Sequence, residues 1–292
     1  MLTSRVDASG RPIKQQLYFL VLAAVLPLFL VFAYDIYQET RDGFERARGE
    51  AQRLAKVAAA DAQGYFARTE QRLGDIARRV EVGSLDPTRC KSLFADIETI
   101  RREYAGLAMV DREGRLVCLA GNDQEQSVEG LTAARPLQAL IGGLPRILVG
   151  APVRGRATGK WMLPLAYPMR GGDGGAAGMV IAAAELDRFQ SLVVSLELPE
   201  KPKLLIVKSD GLVLASSQDP DRHIGQSGSG DTMTRAIIDR RSGILSGQFL
   251  DGVERIYGFH PVSGTDWIAI IGLDVAPIRE SVVASALRHG VY

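Results

Sequence analysis

Histidine is scarce in this chain. His223, His260 and His289 are the only three in 292 residues, and none is spaced as metal ligands are. A histidine-built metal centre is therefore not expected. Excess charge of either sign is missing too, because the formal net charge is +1. Without a basic field the chain has no electrostatic reason to hold nucleic acid, so no nucleic-acid partner is expected. Cysteine occurs twice, at Cys90 and Cys118. In a reducing cytosol two such residues read as buried thiols, whereas outside it they suggest one bridge. Proline is absent from Leu28 to Asp86, so nothing in that stretch forces a helix to stop.

Charge is missing altogether from Leu17 to Tyr34, "LYFLVLAAVLPLFLVFAY", a run of 18 residues. As a helix it is about 27 Å long, close to the ~30 Å hydrocarbon core of a bilayer. Arg5, Arg11 and Lys14 precede it, and Asp35, Glu39, Asp42 and Glu45 follow. The competing reading is a cleaved secretory signal, with Val31-Phe32-Ala33 as a loose small-x-small site. The run is long for a signal core and helical patterning continues past it, so an uncleaved anchor is the expectation. Either reading carries residues 35–292 out of the cytoplasm. A bridge between Cys90 and Cys118 then becomes the expectation. It would close a loop of about 29 residues, worth about 3–4 kcal/mol by chain entropy.

Past the anchor, Phe44, Ala47, Ala51, Leu54, Ala58, Ala62, Tyr65, Leu73, Ile76 and Val80 recur at helical steps with Arg and Glu between many of them. This predicts an amphipathic helix which, joined to the membrane span, makes a rod of roughly 90 Å over some 60 residues. Part of it would cover a sheet, and its membrane-proximal end could pair with a second copy. A further helix is expected after Asp86, with Pro87 at its first position.

From Ala108 the period changes to that of strands. "AMVDREGRLVCLAGN" is a hairpin turning through Asp111 to Gly114, and "LIVKSDGLVLASSQD" is another turning through Asp210-Gly211. "KWMLPLAYPMR" with "GMVIAAAEL", and "VERIYGFHPV" with "GTDWIAIIGLD", read as the later strands of two cycles. Between the second hairpin and its later strands a helix is predicted in "GSGDTMTRAIIDRRSG", capped by Ser229 or Asp231. Gly114 and Gly211 are 97 residues apart, and Pro168 and Pro261, where strands are expected to end, are 93 apart. Two nearly equal offsets argue for a duplicated unit. The fold class expected is α+β: a long N-terminal helix continuous with the membrane helix, and two tandem antiparallel-sheet modules of PAS-like form.

Taken together, "YAGLAMVDREGRLVC", "TGKWMLPLAYPMRGGDGGAAGMVIAAAELDRF", "LLIVKSDGLVLASSQDPDRHIGQS" and "VERIYGFHPVSGTDWIAIIGLDVAPI" resemble the double Cache sensor domain of bacterial transmembrane receptors. The resemblance covers roughly Asp35 to Arg279. It implies an extracytoplasmic, non-catalytic sensor in which the long N-terminal helix packs along both PAS-like modules, the membrane-distal one taking a small ligand and the proximal one sitting near the membrane. It also implies a second membrane span leading to a kinase, cyclase or chemoreceptor output, so the chain ending at Tyr292 is expected to be the sensory part of a longer receptor. The segments follow as an N-terminus at 1–16, a membrane helix at 17–34 and a stalk helix at 35–86. The distal module is placed at 87–198, the proximal module at 199–278 and a C-terminal helix at 279–292.

Catalytic motifs are not found. "VRGRATGKW" has Arg154 where a phosphate loop needs glycine and Trp161 where it needs Ser or Thr. "GQSGSG" fails the nucleophile-elbow spacing, because the residue two beyond Ser227 is Ser229. No cofactor is expected. The rival readings are an exported hydrolase, which needs a nucleophile–base pair, and a ligand-free structural factor pairing through its helix. A ligand site is expected over the distal sheet. Arg154, Arg156 and Lys160 could pair with a carboxylate, Trp161 and Tyr167 could form apolar walls, and Tyr104 and Glu185 could add polar contacts. In amino-acid-binding members of the resembled family an Asp on a later strand receives the amine. Here "GMVIAAAEL" puts alanines at that place, which favours a carboxylate or other small anion over an amino acid.

Overall fold

The structure is a computed structural model and describes residues 13–79, 104–121, 147–156, 158–170, 176–187, 202–249, 251–277 and 279–280. The helix expected after Asp86, Cys90, and most of 279–292 lie outside the described residues. By contacts the chain divides into one unit formed by Met1–Ala47 with Val275–Tyr292 and a second formed by Arg48–Asp274.

Helix α1 runs Ile13–Arg79 as 67 residues, with Pro27 inside it. It is the one described helix long and apolar enough to cross a membrane, and Leu22, Val25, Leu26, Phe29, Leu30 and Val31 along it are exposed. From Ala51 onward its character becomes two-sided. Ala51, Leu54, Ala55, Ala58, Ala59, Ala62, Phe66, Leu73 and Ile76 are buried, while Arg53, Lys56, Asp61, Arg68, Gln71 and Asp75 face water. These apolar residues recur at the 3.6 period, so one stripe of the helix is driven out of water while the charged stripe stays hydrated.

Two antiparallel sheets receive that stripe. The first contains β1 (Gly106–Asp111), β2 (Leu116–Gly121), β3 (Leu148–Val149), β4 (Val153–Arg154), β5 (Trp161–Arg170) and β6 (Ala176–Glu185). Its order is β2-β1-β6-β5-β3, with β4 also on β5. The second contains β7 (Lys203–Lys208), β8 (Val213–Ser216), β9 (Gly243–Gln248), β10 (Glu254–Pro261) and β11 (Trp267–Asp274), in the order β8-β7-β11-β10-β9. The strand order is the same in both, so the topology is written twice.

The repeat extends to local detail. Gly114 and Gly211 take φ of 81° and 87°, the left-handed region that glycine enters without a Cβ penalty. Asp111 N–H donates to Arg115 O and Gly114 N–H to Asp111 O; Lys208 and Gly211 repeat the pattern with Leu212 and Lys208. Each hairpin also carries a register shift, between Met109 and Val110 in one and between Ile206 and Val207 in the other.

Strand alternation assigns the faces. Leu107, Met109, Leu163, Leu165, Met169, Val180, Ala182 and Ala184 of the first sheet join Leu204, Ile206, Trp267, Ala269 and Ile271 of the second in one core with α1. Phe66 of α1 meets the Trp267 ring edge-on at 4.4 Å between centroids. The opposite face of the first sheet is a small apolar floor of Ala108, Val110, Ala166, Met179 and Ile181. That of the second packs Leu205, Val207, Tyr257, Phe259, Ile268 and Ile270 against Ile237 of α3 (Thr232–Arg240). Asp231 is the α3 cap, accepting from Thr234 N–H at 2.8 Å. A one-turn helix, α2 (Pro220–His223), follows β8.

One strand departs from expectation. β5 does not stop at Pro168 but continues to Arg170. β3 reaches β5 only at Leu165 and Ala166, and β4 only at Trp161 and Met162. Pro168 therefore sits where β5 has no described partner on the side away from β6, and its missing N–H costs no ladder bond there.

Candidate functional site

The residues singled out from sequence separate into two groups. Tyr104 is 3% exposed and its hydroxyl lies 2.7 Å from Thr69 Oγ1 of α1. Tyr167 packs on the α1 side, with its ring over Gly74 closely enough that a Cβ there would stand 3.3 Å away. These two fasten the first sheet to the helix. The second group gathers where β4, β5 and β6 end together. Arg154 pairs with Trp161 and Met162 with Glu185 across the ladders. Lys160 Nζ donates to Glu185 Oε2 at 2.8 Å and lies 3.6 Å from Asp187 Oδ2. The hydrogen bond to Glu185 raises the Lys160 ammonium above its ordinary value, with Asp187 adding to it. Arg156 is exposed in the turn between Gly155 and Lys160.

One residue that the sequence reading passed over completes this second group. Asp221 of α2 accepts from Trp161 Nε1–H at 2.8 Å, and its other oxygen lies 3.4 Å from Arg154 Nη2. Arg154 Nε–H also donates to Gly159 O at 2.9 Å. Arg154 and Lys160 thus each hold a carboxylate of the protein, in the pairing a ligand carboxylate would make. Cys118 is buried on β2 opposite Met109.

The second sheet carries a buried ionic group that was also missed. Lys203, whose side chain is 0% exposed, donates to Asp251 Oδ2 at 2.6 Å. Arg255 holds the same carboxylate through Nη1 at 2.7 and 2.9 Å and bonds Asp274 through Nε. Burial pulls the Lys203 ammonium down, and Asp251 only partly opposes it. Burial pushes Asp251 up, but its hydrogen bonds from Lys203 and Arg255 prevail and hold it well below the carboxylate range. For Arg255, burial disfavours the charge, and Tyr257 and Asp251 beside it more than offset this. Tyr257, opposite Gly272 in the ladder, is pushed up by burial to about 12. Lysine at the head of an apolar strand reads as a solvated end; only the facing turn "LDG" hints at its partner.

Ser242 Oγ and His260 Nδ1 lie 3.2 Å apart beside β9. Among the described residues no carboxylate bonds that imidazole, so the third member that would orient a general base is missing from the pair.

Against known proteins, the family model described as Cache domain matches residues 45–282. The chain belongs to the Cache domain family. No curated protein matches it. Among solved structures it is similar to the extracellular domain of rpHK1S-Z16, a protein assigned as a histidine kinase. The TM-score is 0.62 at 17% identity, covering 81% of this chain and 98% of that one. The ligand-binding domain of the Pseudomonas aeruginosa PAO1 amino acid chemoreceptor PctB, in complex with L-Arg, gives a TM-score of 0.61 at 17% identity over 80% and 97%. The periplasmic sensory domain of the Campylobacter jejuni chemoreceptor Tlp1 gives 0.60 at 11% identity over 81% and 98%. At these identities the likeness is one of fold.

Proposed function

We propose that this chain is the extracytoplasmic sensor region of a membrane receptor, anchored in the inner membrane by residues 17–34 with 35–292 on the outer side. It binds a small molecule in the distal module, residues 87–198, and passes the change to the proximal module, 199–278, and to the membrane by a small displacement of α1. The observation that carries the reading is that one helix packs its apolar stripe against the same face of two sheets that, β4 apart, share one strand order. Any change in the curvature of either sheet is felt by that helix, because a close-packed core transmits strain. Two packed states differing by a small shift are enough for a switch.

The ligand class we propose is a carboxylate or other small anion. Arg154, Arg156 and Lys160 stand at the open end of the distal sheet. On β6 the buried alanines, Ala183 among them, stand where an acid would receive an amine, and Glu185 at the strand's end is held by Lys160. A ligand carboxylate would compete with the protein's own acids there, and PctB with its L-Arg supports a small charged ligand in this fold. We read the region as non-catalytic and as pairing with a second copy through α1. The apolar face of α1 from Ala51 to Ile76 is spent on the sheets, so pairing falls to other parts of the helix. We also propose the Cys90–Cys118 bridge, since in this reading both cysteines lie outside the reducing cytoplasm.

A thermal-shift screen of the chain in detergent micelles against organic acids, amino acids and amines tests the reading. A ligand present at a hundred times its dissociation constant stabilises by about 2.7 kcal/mol, a readily visible shift. Stabilisation by organic acids is the expected result; stabilisation by none of the compounds moves the reading to a ligand-free structural role.

A further inference from the structure

Asp221 belongs to the proximal half of the chain, yet both groups that hold its carboxylate, Trp161 and Arg154, belong to the distal half. Each side of this contact is mounted before the two meet. On the proximal side, α2 is a single turn begun by Pro220, and His223 and Ile224 at its end are 1% and 4% exposed. Ile224 lies in the core shared with α1, and the His223 ring bonds Gln218 O through Nδ1 at 3.1 Å. On the distal side, the Trp161 ring rests on that same core, and its carbonyl accepts from Leu186 N–H at 2.9 Å. The Arg154 guanidinium is aimed by its bond to Gly159 O, in a turn closed by Gly155 N–H to Lys160 O.

An exposed ion pair between two free side chains adds little, since ordering the chains cancels the attraction. Here most of that ordering is done by the surrounding structure, and the indole N–H bond is charge-assisted. We propose that Asp221, Trp161 and Arg154 form an inter-module clasp, which fixes the angle between the two sheets independently of α1. With the clasp shut the modules move as one body. With it open, the distal sheet can turn against the proximal one about the shared helix. This goes beyond the sensor reading, because every contact that makes the clasp lies within the chain itself.

Hydrogen exchange on the full chain in detergent micelles tests it. Asp221→Ala removes both contacts; Asp221→Asn keeps an oxygen for the indole and loses the charge facing Arg154. In Asp221→Ala the amides of Arg222 to Ile224 and of Gly155 to Lys160 should exchange about tenfold faster, the size expected for a lost hydrogen bond to a charged group. Asp221→Asn should fall between. Arg154→Ala should reproduce part of the effect, and the double variant Arg154→Ala, Asp221→Ala should add nothing to Asp221→Ala alone. The chain has two tryptophans, and Trp267, 2% exposed, adds a shielded background to the fluorescence that Trp267→Phe removes. In a Trp267→Phe background, Asp221→Ala should make Trp161 more open to acrylamide quenching. Unchanged exchange at both segments, or effects of Arg154→Ala and Asp221→Ala that simply add, would overturn the clasp.

Discussion

Gly258 of β10 lies directly against Ala51 of α1: a Cβ built on Gly258 would stand 2.2 Å from the Ala51 carbonyl carbon and oxygen. No side chain fits there, so helix and strand meet backbone to backbone. Gly258→Ala must push α1 off the proximal sheet. Overpacking of this kind costs about 1–3 kcal/mol, and the distal sheet should keep its exchange protection while β10 loses it. Calorimetric melting with exchange mapping checks both parts.

Among the described residues, Asp251 is the one carboxylate that both Lys203 and Arg255 hold. Asp251→Asn leaves the Lys203 ammonium buried without its counter-charge, which should destabilise by about 3–5 kcal/mol. Adding Lys203→Met, which removes the stranded charge, should restore much of the loss. Urea unfolding of the single and double variants measures this, and a double variant no more stable than Asp251→Asn would show that Lys203 is not the cause.

The same group sets an acid limit. The folded value of Asp251 lies below its ordinary 3.8, so folding favours the ionised form. Its contribution is complete above the ordinary value and is lost as pH falls through that value toward the folded one. The melting temperature should therefore drop between about pH 5 and pH 3, and Asp251→Asn should flatten that drop. On the alkaline side two groups oppose each other. The lowered Lys203 gains stability for the fold as pH rises toward 10.5, while Tyr257, raised to about 12 from 10, loses it as pH climbs past 10.

Thr69 and Tyr104 bond across 35 residues and join α1 to the lead-in of β1. Tyr104→Phe leaves the buried Thr69 hydroxyl with its bond to Tyr65 O alone, and should cost about 1 kcal/mol. Thr69→Val in the Tyr104→Phe background should add little, since the two hydroxyls act as one unit. Melting of the four species forms the cycle.

Much of the architecture was legible before any coordinates. Alternation and turn glycines place β1, β2, β5 to β8, β10 and β11, and the 97-residue offset of Gly114 and Gly211 anticipates the repeated topology; β3 and β4, two residues each, are too short to show a period. The site was less legible, for physical reasons. Alternation says that Trp161, Leu163, Leu165 and Tyr167 share a face but not which face meets α1, so Tyr167 read equally well as a pocket wall. The Asp221 and Lys203 contacts join residues 60 and 48 positions from their partners. No local periodicity reports such long-range pairing. Arg154 and Lys160 looked available because a sequence shows charges without showing which of them are already met.

The most direct measurement is hydrogen exchange of the chain with and without the compound that most raises its melting temperature. The account predicts new protection in the distal sheet, along β5, β6 and the segment from Leu148 to Lys160, with a weaker change along α1. Protection confined to β7 through β11, or no compound that binds at all, would contradict it.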